Sequence, residues 1–177
     1  MRAGVLAALV IVVVAAVAGG GYYYYSNVAD TGHLALAAAD APPSSQVFGV
    51  YITFDAVAVH STTSGWQNFS FAARTLNILN VTPTSVSLFT SDTVANLTLH
   101  AGNYTMIRIY ITNVTVDILG SNITFRLASD FAFVNHPFTV TAGGTVMGVI
   151  EFNLNSDLNL NSRVFTPNIG FVVNGSS

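Results

Sequence analysis

The residues able to do chemistry are few, and one type recurs. Asparagine begins an Asn-x-Ser/Thr sequon at Asn68, Asn80, Asn96, Asn103, Asn113, Asn122 and Asn174. This is the acceptor pattern for N-linked sugar, and it places these amides on the surface of an exported domain. Asn96 falls on the polar parity of its strand and Asn103 in a turn, so both are expected to be accessible. Asn113 falls on the apolar parity and is the least accessible of the set. His33, His60, His100 and His136 are scattered without metal-ligand spacing or neighbouring acids and read as structural residues. Asn153, Asn155, Asp157, Asn159 and Asn161 alternate with Leu154, Leu158 and Leu160. Oxygens at every second position resemble a calcium loop, but the turn glycine and the closing glutamate are missing, so the segment reads as one polar strand face. No metal, cofactor or catalytic residue is assigned, and the chain is not read as an enzyme.

Two side chains stand out singly. Arg108 is expected opposite Ile107 and Ile109, beside Tyr104 and Tyr110, as a structural tie to Asp40 or Asp55. Trp66 follows a Gly turn and reads as a half-buried cap over a sheet edge, with an exposed sugar-stacking ring as the alternative.

Composition limits the surroundings. Of 177 residues 51% are hydrophobic and 7% charged, against about 25% charged in an average domain. There is no lysine, the net charge is -3, and no basic patch exists, so nucleic acid is not an expected partner. Cysteine is absent, which excludes disulfides and thiolate chemistry. The surface must meet water through amides and hydroxyls, or through sugars on them.

The elements that position these residues read as strands. Ala95, Leu97 and Leu99 alternate with polar residues before Ala101-Gly102-Asn103, and Ile107, Ile109 and Ile111 do so after it. This predicts a β-hairpin with one buried face at the centre of the fold. Gly32 to Ala39 predicts a first strand, ended by Asp40-Ala41-Pro42-Pro43. Val47 to His60 predicts a second, with Phe48, Val50, Ile52 and Phe54 on one face and a bulge near Asp55-Ala56 where the parity switches. Ser61 to Gly65 reads as a turn, Ser85 to Phe89 as a short strand, Gly120-Ser121 as a two-residue turn and Ser129 to Pro137 as irregular. A hairpin is expected around Ala142-Gly143-Gly144, and one or two short strands from Val164 to Val173, interrupted by Pro167. The sum is an all-β, antiparallel Greek-key β-sandwich over 31–177.

Ahead of it, residues 1–25 form one hydrophobic helix and 26–30 a linker. Two readings of the helix stand. A signal peptide would end at Ala16-Val17-Ala18 and leave a secreted domain. A retained transmembrane helix over residues 3–25 would hold membrane lipid, with Tyr22 to Tyr25 at the interface and the domain on the extracellular side of the cell membrane. Arg2-Ala3-Gly4 also resembles, loosely, the short basic leader of archaeal pilins.

The landmarks Gly32-x-Leu34-x-Leu36, Asp40-Ala41-Pro42, Gly65-Trp66, Ala101-Gly102-x-Tyr104-x-x-Ile107-Arg108-Ile109, Gly144-Thr145 and Glu151-Phe152-Asn153 resemble an exported archaeal and bacterial family catalogued as a domain of unknown function. The resemblance covers roughly Thr31 to Val173 and implies an extracytoplasmic β-sandwich of transthyretin-like or related type, with no established catalytic residues. Many members carry Asp where this chain has Asn153, so a cation role at that position is not carried over. The expected function is a non-catalytic, N-glycosylated, membrane-tethered cell-surface domain with an envelope-structural or adhesive role. The alternative is a subunit of an extracellular pilus or thread, assembled with copies of itself through its N-terminal segment. A secreted ligand binder or enzyme ranks below both.

Overall fold

Every strand that carries a candidate residue belongs to one of two packed sheets. The structure is a computed structural model and describes residues 3–24, 30–40, 45–80 and 93–175, with side chains in the first helix described from residue 14. The elements are α1 (Ala3–Tyr24), β1 (Thr31–Ala39), β2 (Val47–Ser61), β3 (Gly65–Asn77), a 3-10 turn (Ile78–Asn80), β4 (Thr93–His100), β5 (Gly102–Ile118), β6 (Ser121–Leu127), β7 (Phe131–Val140), β8 (Thr145–Phe152), α2 (Leu154–Asp157), β9 (Leu158–Asn159), β10 (Val164–Phe165) and β11 (Ile169–Gly175). The expected strand at Ser85 to Phe89, and Ala41, Pro42 and Pro43, lie outside the described residues.

The smaller sheet has the order β11-β8-β1-β4, and the larger runs β3-β2-β5-β6-β10-β9, with β7 also paired to β5. β5 is long enough to hold two partners on one edge: Gly102 to Tyr110 pairs β7, and Val114 to Ile118 pairs β6. The sandwich is therefore largely β, as expected, but it is not purely antiparallel. β1 runs parallel to β8, and β10 runs parallel to β6. The alternation of apolar residues fixes which face is buried and carries no information on the direction of the neighbouring strand.

The core lies between the sheets. Leu34 and Leu36 of β1, Leu97 and Leu99 of β4 and Ile150 of β8 meet Ile52, Phe54 and Val57 of β2 and Ile107, Ile109 and Ile111 of β5. β1 is buried on both faces, because Ala35, Ala37 and Ala39 are covered as well. An interior strand has no solvent face, and small residues suit it. Gly32 is needed at its start. A Cβ there would run into the Thr141 carbonyl oxygen where the β7–β8 connection passes over the strand.

The predicted central hairpin is not one. β4 pairs with β1 in the small sheet, whereas β5 pairs with β2, β6 and β7 in the large one. Ala101-Gly102-Asn103 carries the chain across the sandwich. Strands facing the same core from opposite sides show the same period-two pattern as hairpin partners, so the sequence does not separate the two. Tyr104 fastens this crossing: it is fully buried, stacks on Phe138 at 5.1 Å, and its hydroxyl donates to the His100 carbonyl at 2.8 Å. The connection around Ala142-Gly143-Gly144 is likewise a crossing between sheets, from β7 to β8.

Smaller departures have local causes. The bulge near Asp55-Ala56 is present between Phe54 and Ala56. A second irregularity between Val47 and Gly49 turns Phe48 out, so it does not share the face of Val50 and Ile52. Residues 129–137 are not irregular, since β7 occupies most of them. The two-residue turn is Leu119-Gly120, because Ile118 pairs with Ser121. Both turn residues have positive φ, 53° and 83°, as a type I′ turn requires. Asn153 to Asn161 is not one polar strand face; it forms the single turn α2, the short β9 and a turn.

The bilayer-spanning anchor expected over residues 3–25 is overturned: among the described residues no helix is long and apolar enough to cross a membrane. The C-terminal turns of α1 are Gly19-Gly20-Gly21 and Tyr22 to Tyr24, glycines and hydroxyl-bearing rings that offer little aliphatic surface. The membrane-lipid partner and the membrane location expected from that anchor fall with it.

Candidate functional site

The outward face of the larger sheet gathers side chains from four strands. Register places Trp66 of β3 opposite His60 of β2, and His60 opposite Met106 of β5. In the next row Asn68, Ala58, Arg108 and Phe133 lie side by side, and in the next Ser70, Ala56, Tyr110 and Phe131. The Arg108 guanidinium bridges these rows. It sits 4.7 Å from the Trp66 ring centroid and 4.7 Å from that of Phe131, held between two aromatic groups. His60 meets Trp66 edge-on at 5.2 Å and turns its Nδ1 to the Thr105 hydroxyl at 3.0 Å. The floor is small: Ala58, between Asn68 and Arg108, is buried although its side chain takes the outward parity.

The expected tie of Arg108 to an aspartate is replaced by this stack. Tyr104 is not its neighbour, because the register shift between Tyr104 and Met106 sends Tyr104 into the core. Asp40 lies elsewhere, accepting the Leu154 N–H at 2.6 Å. Arg108 Nη1 reaches the Tyr110 hydroxyl at a long 3.4 Å, and Nε is buried with no hydrogen-bond partner. Trp66 is 39% exposed and Phe133 57%. Trp66 is thus both a packed partner of the cation and an accessible ring.

Sequence reasoning missed Phe131 and Phe133. Their signal was present: Phe131-Ala132-Phe133 puts two aromatics at the outward parity around one buried alanine. It was lost because the segment, with Asp130, His136 and Pro137 nearby, does not look like a strand.

The sequon asparagines are dispersed over the domain. Asn68, Asn96, Asn103, Asn113 and Asn122 are all exposed. Asn113 is open to solvent because the ladder shifts between Thr53 and Phe54, so the apolar parity does not bury it. Its amide donates to Thr115 Oγ1 at 3.2 Å, and Asn103 Oδ1 accepts from Thr139 at 2.8 Å. The side chains of Asn80 and Asn174 lie outside the described set. Among the described residues no group of three or more His, Cys, Asp or Glu could hold a metal. His136 packs edge-on against Phe171 at 5.4 Å, while His33 and His100 are exposed.

Asp40 and Asp157 close one end of the sandwich. Asp157 is 1% exposed, and its Oδ2 accepts the Asn153 N–H at 3.2 Å. Burial above all, and the charge of Asp40, raise its carboxyl, while backbone N–H groups of Asn168 and Asn153 and the Ser156 hydroxyl lower it; together they place it at about 6. The Asp40 of the Asp-Ala-Pro motif acts as a remote cap on α2, whose own N-cap residue Asn153 makes no side-chain cap. A groove of about 350 Å³ runs between β3 and β4, with Phe69, Phe71, Val94 and Leu97 as its apolar walls and Arg74 and Asn96 among its polar ones.

The sequence matches the family described as a domain of unknown function, DUF4382, over residues 31–168. The chain belongs to this family. The DUF4382 match takes in every strand of both sheets but β11 and includes every residue of the Arg108 cluster. No curated protein and no solved structure matches the chain.

Proposed function

We propose that this DUF4382 chain is a non-catalytic, glycan-bearing β-sandwich of Greek-key, transthyretin-like or related type, with an envelope-structural or adhesive role. The observation that carries the reading is the placement of the sequons. All five asparagines with described side chains are exposed, spread over both sheets and the crossing between them. Sugars there would hydrate a surface that carries few ions. Glycopeptide mass spectrometry of the protein from its native source tests this. Sugar-bearing peptides are expected for Asn68, Asn96, Asn103, Asn113 and Asn122, and bare asparagine at all five overturns the reading.

A second reading, self-assembly through the N-terminal segment, is favoured by the position of β1. The first strand of the domain is an interior strand, paired to β4 on one side and β8 on the other. Such a strand is suited to exchange between copies, since a vacated slot offers two edges to the same segment from a neighbour. The cysteine-free chain permits a clean trap. Ala35 and Asn96 face each other across β1 and β4, so Ala35→Cys with Asn96→Cys would give disulfide-linked multimers if β1 is exchanged and only cross-linked monomer if it is not.

A further inference from the structure

We propose that the outward face around Trp66, Arg108 and Phe133 binds an acidic saccharide, one bearing uronic-acid carboxylates, presented from outside the chain. The inference deepens the adhesive reading by naming its ligand, and it does not depend on the sequon glycans. Charge carries the choice of occupant. Arg108 is the cation of the cluster and has no carboxylate partner among the described residues; its contacts are Tyr110, Trp66 and Phe131. The two rings hold the guanidinium in place; Nη1 reaches the Tyr110 hydroxyl and Nε is buried, which leaves the Nη2 N–H groups to meet a carboxylate.

The flanks suit a sugar rather than an acidic peptide. Trp66 and Phe133 offer exposed ring surface to the C–H faces of pyranose rings. Their strands are three ladder steps apart, roughly 14 Å, with Arg108 on the strand between β2 and β7. The neighbouring outward residues Ser70 and Asn135 supply hydroxyl and amide groups, which match sugar hydroxyls. One cation among rings takes one carboxylate, and ring faces, amides and hydroxyls around it take the rest of a sugar.

Trp66 is the only tryptophan, so fluorescence excited selectively at tryptophan reports on this face alone. The full chain is titrated with oligomers of galacturonic, glucuronic and mannuronic acid, with their methyl esters, and with an oligoglutamate. Asn68→Gln is run in parallel, because Asn68 stands in the Arg108 row and its own glycan could occupy the face. The expected result is a saturable fluorescence change with uronic-acid oligomers, abolished by esterification and retained or strengthened in Asn68→Gln. Arg108→Gln and Phe133→Ala should each weaken it by about tenfold or more. Phe133 is exposed enough for its variant to fold, which keeps the test decisive if Arg108→Gln does not. The proposal is overturned if no uronic-acid oligomer binds, if the esters bind equally well, or if Phe133→Ala binds as the parent does. Binding of oligoglutamate in place of the sugars would assign the face to a protein partner and also overturn it.

Discussion

Replacing Asp157 with asparagine should change how stability depends on pH, and the direction follows from the buried end of the sandwich. The carboxyl moves from an ordinary 3.8 to about 6 because burial outweighs the hydrogen bonds that stabilise its charge. At about 1.4 kcal/mol per pH unit, keeping it ionised in the native state costs on the order of 3 kcal/mol. Above pH 6 the group is charged in both native and unfolded chains, and the full cost applies. Between about pH 6 and 4 the native state takes up a proton that the unfolded chain does not, so this group makes the protein more stable as pH falls. Below 3.8 both states are protonated and the gain is complete. Asp157→Asn removes the titration while keeping the size and an oxygen for the Asn153 and Asn168 N–H groups. Urea unfolding followed by Trp66 fluorescence, at intervals from pH 4 to 7.5, measures the difference between the two proteins. The variant's stability relative to the parent should be higher at pH 7.5 than at pH 4 by about 2–3 kcal/mol. A difference that stays flat across this range, or that runs the other way, refutes the account of the Asp40–Asp157 end.

Other perturbations test the crossing, the turn and the stacked cation. Tyr104→Phe removes the bond to the His100 carbonyl and should cost about 1 kcal/mol in chemical unfolding; no loss would mean that the crossing is held without it. Leu119→Asn relieves a non-glycine residue at φ 53° and should raise stability by up to about 1 kcal/mol in the same assay. Arg108→Met removes the cation from between its two aromatic partners and should lower stability by about 1–2 kcal/mol. Unchanged thermal stability in that variant would leave Arg108 without a structural role.

The sequence was informative wherever one residue's neighbours along the chain decide its fate. Period two identified β2 and β5, and the parity switch at Asp55-Ala56 located a real bulge. It failed where the partner is remote. Leu97 and Ile107 alternate as hairpin residues would, yet they enter the same core from opposite sheets. Phe48 and Asn113 were assigned to the wrong face because ladder shifts at Val47/Gly49 and Thr53/Phe54 depend on the partner strand. The stack of Trp66, Arg108 and Phe131 brings together β3, β5 and β7, whose rows are set by register across β2. Arg108 was singled out for its flanking tyrosines, and its true partners come from other strands. Asp157 looked like one more polar residue in an alternating run, and only the turn of α2 buries it.

The central claim is that the chain acts through the outward face of its larger sheet. Hydroxyl-radical footprinting of the protein in native material, compared with the purified full chain, tests it most directly. Phe48, exposed at the far end of β2 and away from the cluster, is the internal control. Trp66 and Phe133 should be protected in the native material while Phe48 labels equally in both. Equal labelling of Trp66 and Phe133 in the two samples would contradict the claim.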